Sequence, residues 1–259
     1  MTLKFTCAAI AVCSALTSMN ANAWSLNYRH EFLEKQDQQS DRLVVSHRFD
    51  NGWGFGVESK FTNGGEGEGA FDELHTTGTE YDLSYLAKPN DKWWWEAGFN
   101  TEITNDVQDL RVHFKPTYWF NPNFYTAARF RVGQRNYDDS LNKENGHYFQ
   151  LNYYLGYNAE NWSVAYDFEY KKLDYPDFNG EEYSYLNNVT IRVPINKNWR
   201  PFTEIGYVSY NDPADDNPYP KTGSGAGASG LSTSSKPELP PSWQSPQVHL
   251  CGIKSHWGQ

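Results

Sequence analysis

The sequence predicts an all-β fold: an antiparallel transmembrane β-barrel with short turns on one rim and longer loops on the other. From Trp24 to about Asn211, apolar and polar residues alternate in runs of roughly ten, each closed by a turn. The chain is 17% aromatic yet only 38% hydrophobic. That balance suits a wall whose aromatic girdles face lipid headgroups while polar residues face a wet lumen. No stretch approaches the roughly 20 apolar residues that a membrane-spanning helix needs.

Residues 1–23 read as a secretory signal. Lys4 is its positive region, Phe5 to Leu16 its apolar run, and Ala21-Asn22-Ala23 its small-residue cleavage site. The mature chain is expected to start near Trp24 and to be exported to the bacterial outer membrane. Cys7 and Cys13 leave with the signal, so Cys251 has no partner for an internal disulfide.

Strands are expected at 24–34, 41–49, 52–62, 78–87, 92–103, 109–118, 123–135, 146–157, 161–172, 183–195 and 199–210. Short turns rich in Asn, Asp, Gly and Pro fall at 50–52, 89–91, 121–123, 158–161 and 196–198. Longer loops, mostly acidic or glycine-rich, fill 35–40, 63–77, 136–145 and 173–182, with a short one at 104–108. This asymmetry matches short periplasmic turns and longer extracellular loops. Residues 24–211 are thus expected to supply eleven strands. The Gly/Ser/Pro-rich stretch 212–247 reads as a disordered loop or tail, because it cannot bury a core. A closed barrel of this kind has an even strand count, so 248–257 (VHLCGIKSHW) is expected to be the twelfth strand and 248–259 the terminal segment.

The alternation assigns faces. In 161–172, Trp162, Val164, Tyr166, Phe168 and Tyr170 form the side able to meet lipid, and Ser163, Ala165, Asp167, Glu169 and Lys171 form the other. Leu43, Val45 and Phe49 point outward against Arg42, Ser46 and Arg48; Leu110, Val112 and Phe114 point outward against Arg111, His113 and Lys115. A slip of one residue would turn charges into lipid, which pins the register.

Net charge is -10, so the location of the charges matters more than their sum. All the arginines take inward positions: Arg29, Arg42, Arg48, Arg111, Arg129, Arg131, Arg135, Arg192 and Arg200. Exclusion of charge from lipid explains their inwardness, and a planar fork that grips carboxylates in pairs explains the choice of Arg over Lys. Two roles are open: a track for anionic solutes, or partners for the lumen acids Glu31, Glu58, Glu80, Asp82, Glu96, Glu102, Asp167, Glu169 and Glu204. The densest basic patch joins Arg111, His113 and Lys115 to Arg129, Arg131 and Arg135, and no inward acid is expected on either strand.

Tyr28, Trp53, Trp93, Trp95, Trp119, Phe124, Trp162 and Trp199 gather near strand starts or turns, as girdle residues do where they face outward. The inward Trp94, Tyr125, Tyr148 and Tyr154 are candidates for stacking on sugar rings, with wall packing as the alternative. His30 and His47 fall outward and His75 in a loop, so no metal or catalytic set forms. No nucleophile motif such as G-x-S-x-G is present. The chain is therefore read as a non-enzyme without cofactor, metal or nucleic-acid partner.

WSLNYRHEF at 24–32, SDRLVVSHRFDNGWGF at 40–55, GTEYDLSY at 78–85, EYKK at 169–172 and NWRPFTEIGYVS at 198–209 resemble the oligogalacturonate-specific porin (KdgM) family. The resemblance runs from about 24 to 211. It implies a monomeric twelve-stranded barrel in outer-membrane lipid, with a narrow basic pore for acidic oligosaccharides such as pectin fragments. Related members handle sialic acid or other uronate oligomers. It also implies tracks of inward arginines, whose pattern Arg29, Arg42, Arg48, Arg129 and Arg131 match. The departure is at the end, where Ser255 stands in place of an aromatic and Gly258-Gln259 overrun the usual terminus. The competing reading is a structural or adhesive barrel, in which the lumen charges would be fully paired. An outer-membrane hydrolase is a distant third reading.

Overall fold

The computed structural model describes residues 24–33, 38–62, 74–141, 145–176, 181–196, 198–208 and 224–234. The strands are β1 (Trp24–Leu33), β2 (Gln38–Arg48), β3 (Trp53–Thr62), β4 (His75–Ala87), β5 (Trp93–Ile103), β6 (Val107–Trp119), β7 (Phe124–Tyr137), β8 (Gly146–Asn158), β9 (Ser163–Leu173), β10 (Tyr183–Arg192), β11 (Trp199–Val208) and β12 (Ser224–Ser234). Consecutive strands pair antiparallel, and β12 pairs with both β11 and β1 to close the sheet.

Four of the five short turns share one device. Asn51, Asn90, Asn121 and Asn196 each accept, on the side-chain oxygen, a backbone N–H two residues on, at 2.9–3.1 Å. An Asn side chain that caps its own turn fixes a tight reversal without other contacts. In the β2–β3 turn Gly52 adopts φ 93°, and a Cβ there would sit 2.5 Å from the Leu86 carbonyl oxygen. Only glycine fits that position.

The wall is inside out. Its buried residues include Asn27, Arg29, Asn100, Arg111, Asn152, Asp167, Asn188 and Glu204, whereas Leu83, Phe99, Val112, Phe114, Phe130, Phe149 and Ile205 are exposed. Trp53, Trp93, Trp95, Trp162 and Trp199 are exposed near the short-turn rim, as a girdle requires.

Several strand ends depart from the sequence reading. β10 stops at Arg192 rather than 195, since Pro194 has no N–H to extend a ladder. β6 runs 107–119 rather than 109–118, and both Asp109 and Trp119 join the inward face. Trp119 is therefore not part of the outer girdle. The β6–β7 ladder skips Lys115 and Pro116, where proline lacks a donor.

The larger correction is at the seam. Part of the stretch expected as a loop, Ser224–Ser234, is the strand that lies between β11 and β1. Strand propensity does not explain this, because SGAGASGLSTS has no aromatic and one large aliphatic residue. Backbone demand does: without a partner, β1 and β11 would present rows of bare N–H and C=O groups, which lipid does not satisfy. The run between Pro220 and Pro237 is free of proline and long enough to supply the partner. The expected signal peptide and the expected strand at 248–257 lie outside the described residues.

Candidate functional site

The lumen wall carries its charge in three clusters fixed by register. On β1–β3, Arg42 Nη2 lies 3.2 Å from Glu31 and Nη1 lies 3.6 Å from Glu58. On β3–β8, Lys60 bridges Glu80 (3.1 Å) and Glu102 (2.6 Å), and Arg111 meets the same two acids at 3.0 and 3.1 Å. Asp109 continues that cluster, taking Arg135 at 3.5 Å and the Tyr148 hydroxyl at 2.8 Å. Nearest the short-turn rim, Glu96 holds Arg48 at 2.9 Å and Lys115 at 2.8 Å, with His113 Nε2 at 3.7 Å. Arg48 also donates to Ser84 (3.0 Å) and to the Gly52 carbonyl (2.8 Å).

The expected bare patch on β6 and β7 is therefore mostly neutralised. Asp109 sits on the inward face of β6, and Glu96 and Glu102 reach across from β5, so Arg111, Lys115 and Arg135 are ion-paired. Arg129 and Arg131 differ. Arg129 donates to the Asn152 amide oxygen (3.0 Å) and lies 5.8 Å from the Tyr154 ring centroid; Arg131 Nε has no acceptor among the described residues. Neither has a carboxylate within 4.0 Å among the described residues. Both line the lumen cavity with Ser46, Glu58, Glu80, Asp82, Asn100, His113 and Lys115. Arg29 and Arg192 are placed apart from this cavity, each 5.8 Å from the Phe202 ring.

The opposite wall is polar in another way. Its acids rest on amides and hydroxyls: Asn152 donates to Asp167 (3.1 Å) and Glu169 (3.0 Å), Gln150 donates to Glu169 (2.7 Å), and Asn188 and Thr190 donate to Glu204.

The four candidate stacking residues all face inward, but their ring faces are occupied. Tyr125 lies on Gly156 and Tyr148 on Gly133, where an added Cβ would meet the rings at 2.1 and 2.3 Å. Lys171 Nζ covers Tyr148 at 4.1 Å, and Lys88 Nζ covers Trp94 at 4.0 Å. Trp94 packs on Trp119 at 5.2 Å, and Trp119 packs on Tyr125 at 4.9 Å. Tyr154 is fully buried beside Arg129. These rings build the wall and offer no open platform.

Sequence reasoning placed Lys171 inward but missed Asp109, Lys60, Trp119 and Tyr175 as lumen residues. Asp109 lies within the expected strand 109–118, two positions before Arg111, so the β6 alternation itself puts it on the inward face. Tyr175 carries no such signal, because it reaches in from the segment after β9, accepting from Arg135 Nη1 (3.1 Å) and pairing with the Tyr137 hydroxyl (3.3 Å). Burial raises the Tyr175 hydroxyl pKa. Beside it, Asp174 Oδ1 accepts the His147 backbone N–H at 2.7 Å, which holds that carboxyl below its ordinary pKa.

An inside-out barrel with a charged, ion-paired lumen matches a known family. Residues 17–219 match the model of the oligogalacturonate-specific porin protein (KdgM) family. The chain belongs to that family. Over 226 residues the porin is 29% identical to the oligogalacturonate-specific porin KdgM of Dickeya dadantii, covering 83% of this chain and 94% of that one. It is 32% identical to protein YiiY of Salmonella typhimurium over 209 residues, 78% of this chain and 88% of that one. A solved KdgM porin superposes with a TM-score of 0.60 at 26% identity, covering 81% of this porin and 98% of that chain. Membership places the chain among outer-membrane channels for oligosaccharides.

Proposed function

We propose that this chain is a monomeric, twelve-stranded outer-membrane porin that passes acidic oligosaccharides, oligogalacturonate or related uronate oligomers, along a lumen whose basic side is set by its arginines. The reading takes the short turns as periplasmic and the longer loops as extracellular. It assigns 1–23 to a signal peptide removed near Ala23.

The observation that carries it is the pair Arg129 and Arg131. A purely structural barrel has every lumen charge matched, yet these two guanidiniums face the cavity with no carboxylate at ion-pair distance among the described residues. Cations left without acids suit a passing carboxylate, and Arg grips it bidentately. Arg42, Arg48, Arg111, Lys115 and Arg135 keep the rest of the wall near neutrality through their own acids, so a substrate meets attraction without a trap. Arg29 and Arg192 flank the path beside Phe202.

Single channels in planar bilayers test this. Each lumen contact is worth on the order of 1 kcal/mol after screening, about fivefold in affinity. Arg129→Gln with Arg131→Gln should weaken current block by trigalacturonate by roughly 30-fold and lower anion selectivity. A double variant that blocks and selects as the parent does would refute the track.

A further inference from the structure

At the short-turn rim, inward-facing Leu86, Trp94, Trp119 and Tyr125 pack into one buried cluster. Their positions follow from register. Trp94 is the second residue of β5, Trp119 the last of β6 and Tyr125 the second of β7, and the Trp119 backbone N–H bonds the Lys92 carbonyl at 2.8 Å. Trp94 is 2% exposed and Trp119 4%. The rings are satisfied by one another, at centroid distances of 5.2 and 4.9 Å.

Their indole nitrogens are not. Trp94 Nε1 and Trp119 Nε1 are both buried with no acceptor among the described residues. Indole N–H is a donor only, and a buried Trp normally finds it a partner. Because the two rings pack together, both unmatched donors belong to one patch of the wall, and we read that patch as suited to an acceptor.

The same place is positive. Lys88 Nζ rests 4.0 Å from the Trp94 ring, and Arg48 is anchored close by to the Gly52 carbonyl and Ser84. Burial and the nearby Arg48 lower the Lys88 pKa, so a bound anion would relieve the crowding of charge. A neutral acceptor would meet the N–H groups alone, whereas a carboxylate meets them and carries the charge opposite to the Lys88 ammonium.

We propose that Trp94, Trp119 and Lys88 form an exit subsite at the periplasmic mouth, in which the two indole N–H groups and the ammonium bind one carboxylate of a uronate. This rests on the proposed passage of acidic oligosaccharides, and it adds a site separate from Arg129 and Arg131. The ligand draws Lys88 off the Trp94 face and takes its place beside the ring edge. The subsite reads charge and hydrogen bonding at the indole edges, not stacking on the ring faces.

The test uses the full-length mature protein, 15N-labelled at tryptophan, in detergent micelles. Trp94→Phe and Trp119→Phe assign the two indole N–H resonances and keep the aromatic packing. Titration with galacturonate should move both resonances, glucose should move neither, and Lys88→Gln should weaken the galacturonate response about fivefold. If both resonances stay fixed, or shift equally with glucose, the subsite is wrong. If either Phe variant loses heat-modifiable mobility, the Lys88→Gln titration decides alone, since that side chain comes from a turn. Trigalacturonate block of the parent channel is measured in parallel. Block with silent indoles refutes only the subsite; shifted indoles without block refute the transport reading.

Discussion

Glu96 gives the sharpest test of how the lumen charge is organised. It is one carboxylate against three basic groups, with Arg48 at 2.9 Å, Lys115 at 2.8 Å and His113 at 3.7 Å. Glu96→Gln keeps the shape and removes the charge. At such a separation the Coulomb energy of one pair is roughly 1.4 kcal/mol in bulk water and about 6 kcal/mol at an effective dielectric of 20. Glu96 lines the lumen cavity with its side chain 13% exposed, so each pair lies between these figures, and desolvation offsets part of it. The variant should lose about 1–3 kcal/mol of stability, because two cations stay on the wall without their acid. It should also gain function: each freed cation attracts a passing carboxylate by on the order of 1 kcal/mol, so trigalacturonate block should strengthen by about five- to thirtyfold. The assay is the reversal potential in a salt gradient, with block measured on the same channels. An unchanged reversal potential would show that permeating ions do not feel Glu96, and that the Arg48–Glu96–Lys115 cluster lies off the conducting path.

Two other positions test the wall and the loop rim. Gly156→Ala places a Cβ 2.1 Å from the Tyr125 ring, so it should cost about 1–3 kcal/mol in urea unfolding, with recovery when Tyr125→Ala is added; a cost under about 0.5 kcal/mol would show that the ring yields freely. Asp174, whose carboxyl pKa is lowered first by the His147 backbone N–H, contributes in full above the unfolded Asp value of about 3.9, and its contribution is lost as pH falls through the lowered folded value. A spin label at Pro176→Cys should gain mobility only under that acid condition, and Asp174→Asn should free it at all pH; a label indifferent to both would show that this contact does not hold the segment.

The β-strands and the family were legible in the sequence because each rests on a local rule. Alternation with period two sorts residues between lipid and lumen, and a charge cannot be moved across that divide by any tertiary arrangement. Arg42 and Val45 therefore declared their faces before any neighbour was known. What each inward charge meets is a different matter, because ion pairs form across strands: Arg111 answers to Glu80 and Glu102 on other strands, and Arg48 to Glu96, forty-eight residues away. Register between strands, not sequence within one, decides which cations keep an acid and which, like Arg129 and Arg131, do not. The same applies to the aromatics. Inwardness of Trp94 and Tyr125 was readable, but the glycine beneath Tyr125 and the indole beside Trp94 come from neighbouring strands, and they convert expected platforms into wall. The seam was least legible. Ser224–Ser234 has the composition of a linker, and it becomes a strand because two edges facing lipid leave backbone groups that only another strand can satisfy, a demand set by the closed sheet and invisible in the segment itself.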